Sequence, residues 1–313
     1  RIGDTAKARE NLERSVELAR DSDPGEAVRA LFTLGYHLEV SEADYAGAAS
    51  AYTEALQRAE EVGDLPSQVE LHAALAQLAS YRADWTEVER STEASAALAE
   101  REGLLGKLCF PYVMRGVLAW RGGRWDEATD ACRRAHELGE QVGRSEVAFS
   151  ALYWLAITLR DRGDHAEAEM TLAGALDVCE RAGLIAQSIE SIAARAVTLA
   201  RGGRPDAARE AAEEANRLAE RLHYPVGDAF TTEARGATDP DPAAGASALA
   251  EARDAWSELG RPLDAARCEL LRGDRLRGSD QDAARESLAA AAAAFEALGV
   301  AHLADRAREL VAR

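Results

Sequence analysis

Residues 145–183 read "SEVAFSALYWLAITLRDRGDHAEAEMTLAGALDVCERAG". Phe149, Leu152, Tyr153, Ala156 and Leu159 recur at helical spacing, which predicts one helix ahead of Gly163. Ala168, Leu172 and Ala175 give a second stripe after it. Gly183 then stands where a helix ends in a left-handed residue, a conformation glycine adopts without penalty. Ser145 and Asp164 are residues of N-cap type. The stretch therefore predicts two helices joined by a short break. A single pair of this kind cannot bury both its faces, whereas stacked pairs can.

The same marks return every 40 residues along the chain. Gly123, Gly163 and Gly203 share one column, which continues back through Ala83 and Ala43 to Gly3. The phrase "GGRWDEA" at 122–128 returns as "GGRPDAA" at 202–208. Two positions after the glycine, a variable column holds Thr5, Tyr45, Trp85, Trp125, His165 and Pro205. Three further on, a small-residue column holds Ala8, Ala48, Val88, Ala128, Ala168, Ala208 and Ala248. Gly63, Gly103, Gly143 and Gly183 form the closing column. A period of this length marks a helical repeat array. Small residues in a recurring column let neighbouring helices approach closely, and Trp125 reads as a tolerant wedge near the start of the second helix.

The fold predicted is all-α, a right-handed α-solenoid of stacked antiparallel helix pairs, forming a single helical-repeat domain over 1–313. The parts are a partial first repeat at 1–23; repeats at 24–63, 64–103, 104–143, 144–183 and 184–223; degenerate repeats at 224–260 and 261–299; and a capping helix at 300–313. In the first degenerate repeat, Pro240 and Pro242 of "DPDP" cannot lie inside a helix, so its first helix is short. The first helix of the chain, near 4–20, lacks a preceding partner and is expected to expose an apolar edge through Leu12 and Val16. The chain begins with Arg1 inside a helical pattern and is read as a piece of a larger protein.

Composition narrows the function. The net charge of −18 argues against a nucleic-acid surface, which needs a basic patch. No apolar run reaches the ~20 residues of a membrane-spanning helix, and no signal peptide opens the chain. A cytoplasmic location is expected. Cys109, Cys132, Cys179 and Cys268 show neither metal nor redox spacing and read as small apolar residues. His37, His72, His136, His165, His223 and His302 form no ligand motif. With no phosphate-binding glycine loop and no nucleophile elbow in the sequence, the chain is expected not to be an enzyme and to carry no cofactor or metal.

The columns resemble the tetratricopeptide repeat (TPR). "LGY" at 34–36, "RGVLAW" at 115–120 and "LAITL" at 155–159 sit at its mid-helix marks. "DYAGAASAYTEAL" at 44–56 matches its second helix through Tyr45, Ala48, Tyr52 and Ala55. Two departures stand out: the period is 40 where the family's is 34, and Arg115, Arg195 and Arg235 replace the leucine of the first helix. The long period is similar to that of bacterial multidomain regulators, the large ATP-binding LuxR-type activators and related STAND ATPases. "ELGRPLDAARCELLRGDRLRG" at 258–278 and "AAAAFEALGVAHLADRAREL" at 291–310 look like their C-terminal arms.

That resemblance implies an interaction or sensor domain that binds a protein segment or a small-molecule inducer in a concave groove. By family register the groove positions are Gln77, Tyr81, Phe110, Val113, Val117, Arg121, Tyr153, Ile157, Arg160 and Asp161. Arg121 and Arg160 would be its carboxylate-reading forks. The alternative for the nearby aromatic cluster is that Tyr112, Phe149 and Trp154 are core between helices. An alternative reading is a purely architectural arm that holds domains apart or self-associates without a ligand.

Overall fold

The structure, a computed structural model, describes residues 5–20, 23–222 and 224–312. Arg1, Gly3 and His223, used above, lie outside the described residues. These residues form sixteen α-helices and no strand. They are α1 (Thr5–Arg20), α2 (Pro24–His37), α3 (Tyr45–Val62), α4 (Leu65–Tyr81), α5 (Trp85–Arg101), α6 (Cys109–Arg121), α7 (Trp125–Gln141) and α8 (Ser145–Arg162). After them come α9 (His165–Ala182), α10 (Ile185–Arg201), α11 (Pro205–Leu222), α12 (Pro225–Thr238), α13 (Pro242–Glu258), α14 (Pro262–Leu276), α15 (Gln281–Ala297) and α16 (Ala301–Ala312). The chain gathers into two compact units, Arg1–Met114 and Arg115–Arg313. Within each, consecutive helices pack on one another as an all-α solenoid.

The repeat columns have simple local causes. Tyr45, Trp85, Trp125, His165 and Pro205 are each the first residue of a second helix. A residue there needs no intrahelical N–H bond, so proline serves as well as tryptophan. The glycine columns are the left-handed residues after each helix: φ is 68° at Gly123, 69° at Gly183 and 74° at Gly203. Ala43 and Ala83 hold the same conformation at φ 55°, where an L side chain is strained. The small-residue column is buried, with Ala128, Ala168 and Ala208 all fully covered. In the second helices the alanines turn inward and the charged residues outward; α11 shows this most plainly, burying Ala208, Ala211, Ala212, Ala215 and Ala219.

Several local expectations need correcting. Ser145 is the first residue of α8, behind Arg144 at the cap position. Asp164 occupies the cap of α9 but makes no cap bond, and its carboxylate pairs with Arg162. The prolines of "DPDP" act as expected: α12 ends at Thr238 after 14 residues, and Pro242 opens α13 as its first residue, capped by Asp241. Val16 is not an open edge, for it is buried in the core of unit 1 with Leu31, Tyr52, Leu71 and Leu78.

One departure from the period was not anticipated. Gly35, Gly116 and Gly236 bring first helices close to second helices: a Cβ on Gly35 would fall 2.5 Å from Tyr52, and one on Gly116 would fall 2.6 Å from Cys132 Sγ. Ala76 stands 40 residues before Gly116 but 41 after Gly35. The extra residue is absorbed by a π-helical turn at Leu38–Glu42, where each bond spans one residue more than in an α-helix.

Candidate binding site

The charged interior of unit 2 is built on the first helices of successive pairs. The helix α8 is apolar on most of its surface, burying Val147, Phe149, Leu155, Ile157 and Leu159. Its last turn nevertheless places Arg160 and Asp161 inside. The Asp161 side chain is 2% exposed. It accepts from Arg201 Nη1 on α10 at 3.0 Å, from Trp120 Nε1 on α6 at 3.1 Å and from Arg160 Nε at 3.3 Å. Arg267 Nη2 on α14 stands 3.9 Å away. Burial alone would push the Asp161 carboxyl up, but Arg160, Arg201 and Arg267 outweigh it and hold it well below the ordinary carboxylate range.

Further along the same face, Arg267 stacks on Trp120, 5.1 Å from the ring centre, and donates from Nη1 to Asp264 at 3.3 Å. Arg261 donates to the other Asp264 oxygen at 2.7 Å and lies 4.7 Å over Trp256. Trp256 Nε1 donates to Glu233 at 3.1 Å. Burial pushes the Glu233 carboxyl up, with nearby Asp264 adding to the effect. Burial likewise raises Glu190 to about 7, partly offset by Arg261 and by the Tyr224 hydroxyl, 3.4 Å away. Two small cavities open along this interior. The larger, about 40 Å³, is lined by Arg160, Asp161, Arg201, Glu233, Arg267 and residues of α16. The smaller, about 10 Å³, lies among Tyr153, Ile157, Phe230 and Asp264.

The last helix does more than end the stack. His302 of α16 packs edge-on against Trp120 and Trp125, with ring centres 5.2 and 4.7 Å apart. Arg121 lies over the turn before α16, so close that a Cβ on Gly299 would fall 2.8 Å from its Nη2. α16 thus closes onto the same interior that α8, α10 and α14 build.

The ten groove positions divide between the units. In unit 2, Tyr153, Ile157, Arg160 and Asp161 come together at the two cavities. Val117 is fully buried there, and Arg121 is half-buried beside Gly299. In unit 1, Gln77 and Tyr81 meet around a buried carboxylate. Gln77 Nε2 donates to Glu39 at 2.9 Å and lies 2.5 Å from the Tyr81 hydroxyl, while the Tyr52 hydroxyl donates to Glu39 at 2.9 Å. Glu39 sits in the π-helical turn. Phe110 is half-buried and Val113 fully buried. Of the other aromatic residues, Phe149 is buried with Val178 and Cys179, and Trp154 packs on Trp120 at 5.5 Å.

Sequence reasoning missed Arg201, Glu233, Asp264 and Arg267. No local signal singled them out: α14 also carries Glu269, Arg272, Asp274 and Arg275, and the sequence alone does not say which of its charges turn inward. All four cysteines are buried. Among the described residues no cluster of His, Cys, Asp and Glu could hold a metal ion, and no helix is long and apolar enough to cross a membrane.

No family model and no curated protein matches the sequence. Solved structures do match the fold. A Rap protein complexed with Competence and Sporulation Factor has a TM-score of 0.77 at 14% identity, covering 94% of this chain and 80% of that one. The apo form of RapI gives 0.62 at 12% identity, covering 91% and 98%. Aspartyl phosphate phosphatase F from Bacillus subtilis gives 0.62 at 12% identity, covering 94% and 74%. At these identities the likeness establishes a shared helical-repeat fold.

Proposed function

We propose that this chain is a non-catalytic interaction or sensor domain of a bacterial signalling or transcriptional regulator, of the ATP-binding LuxR-type or STAND kind. In this reading the inner face of unit 2 takes a protein segment or a small inducer. The observation that carries it is the buried charge. Enclosing Asp161, Glu190, Glu233 and Asp264 with their arginines costs desolvation that apolar residues of similar volume would avoid. A recognition surface needs directional polar groups set on rigid helices, and this cluster supplies them. The fold likeness to a Rap protein solved with a bound factor supports the same reading. The phosphatase named among the structural neighbours is a property of that neighbour; here the assignment is binding without turnover.

The test is a peptide selected from a random library against the whole chain, titrated by calorimetry. Tyr153→Ala and Arg121→Ala should each weaken binding about tenfold, the loss of roughly 1.4 kcal/mol. Unchanged affinity in both variants would remove the inner face as the site.

A further inference from the structure

The larger cavity of unit 2 has more cationic groups than its acids engage. Four guanidinium groups line it: Arg160 from α8, Arg201 from α10, Arg267 from α14 and Arg306 from α16. The acids on its wall are Asp161, Glu233 and Asp274; only Asp161 hydrogen-bonds the lining arginines, and it serves two of the four. Asp161 already accepts from Arg160, Arg201 and Trp120. Glu233 accepts from Trp256. Asp274 pairs with Arg277 at 3.2 Å. Meanwhile Arg267 Nε and Nη2 are buried without a hydrogen-bond partner, and the acid paired with Arg306 is the exposed Glu309 at 3.9 Å. Buried donors left unmatched are costly, and guanidinium groups present planar pairs of donors that fit oxyanions.

We propose that this cavity is a binding site for a small oxyanion, a carboxylate or a phosphate, gripped between Arg160, Arg201 and Arg267 on the repeat helices and Arg306 on α16. The volume of about 40 Å³ admits roughly three water-sized centres, which suits a group of that size. Val197, Leu270, Leu303 and Leu310 complete the wall, so a carboxylate on a short apolar tail fits its chemistry. The site also couples ligand to conformation. An anion bridges α16 to the helices beneath it and relieves repulsion between Arg306 and the other three guanidinium groups, so binding fastens α16 in place. This goes beyond the interaction reading and stands whether or not a protein segment binds.

The experiment follows melting temperature and hydrogen exchange of the whole chain at matched ionic strength, with inorganic phosphate, acetate or isovalerate against chloride. At least one of the three anions should raise the melting temperature and slow exchange across 301–312. Arg306→Met, at a side chain 43% exposed, should weaken that anion at least tenfold, with the far-UV circular dichroism of the variant confirming that it folds. Arg133→Met, on the exposed face of α7, should not change it. A response to phosphate alone assigns a free anion, and a response to isovalerate above acetate assigns a carboxylate with an apolar tail such as a peptide terminus. No shift with any anion, or wild-type affinity in Arg306→Met, overturns the site.

Discussion

Asp161→Asn is the most informative single substitution in unit 2. It preserves side-chain volume and leaves an oxygen to accept from Trp120 Nε1, so packing and the indole bond survive. What it removes is the charge that Arg160 and Arg201 contact at 3.3 and 3.0 Å and Arg267 faces at 3.9 Å. Their side chains are 6%, 22% and 11% exposed, so water replaces little of the lost interaction. Removing one partner of a buried ion pair costs about 3–5 kcal/mol. In a unit of this size each kcal/mol lowers the midpoint by about 2–4 °C, which gives a fall of roughly 10 °C. Four of the five tryptophans lie in unit 2, so intrinsic fluorescence during urea and thermal unfolding follows the relevant part of the chain. Asp126→Asn is the control, since that carboxylate is 98% exposed and should cost less than about 0.5 kcal/mol. A loss below about 1 kcal/mol in Asp161→Asn would refute the view that this carboxylate holds the buried arginines together.

Other outcomes follow from the same geometry. Ala83→Gly relieves a left-handed alanine worth about 1–2 kcal/mol and gives back about 0.4–1 through the freer unfolded chain, so unit 1 should gain roughly 0.5–1 kcal/mol in urea unfolding. Gly299→Ala meets both a φ of 68° and Arg121 Nη2, and should speed hydrogen exchange in α16 while leaving α9 unchanged. Glu190 binds its proton more tightly folded than unfolded, so its contribution to stability is present below about 4.5 and is lost as pH rises through about 7. Glu190→Gln should flatten that part of the stability profile between pH 4.5 and 7, measured by urea midpoints.

The repeat was legible because its marks obey local backbone rules. Gly123 and Gly203 occupy a left-handed position, and Trp125 and Pro205 occupy the first position of a helix; neither rule depends on distant contacts. The π-helical turn was hidden because the columns that gave the period, such as Thr5 with Tyr45 and Ala8 with Ala48, stay 40 apart across it, and only Gly35 falls out of step with Ala76 and Gly116. The closure of α16 was less legible still. Its sequence shows Leu303, Ala307 and Leu310 on one face but not what that face meets. The meeting of His302 with Trp120 and Trp125 depends on how successive pairs rotate, which accumulates from small packing differences. For the same reason family register named Tyr153, Arg160 and Asp161 of this cluster but not Arg201 or Arg267, which reach it from later repeats.

The most direct test of the account is hydrogen exchange with the library-selected peptide bound. The account predicts slowed exchange in the first helices of unit 2, α8, α10, α12 and α14, with the second helices α9 and α11 unchanged. Protection confined to α9 and α11, with the first helices unaltered, would contradict it.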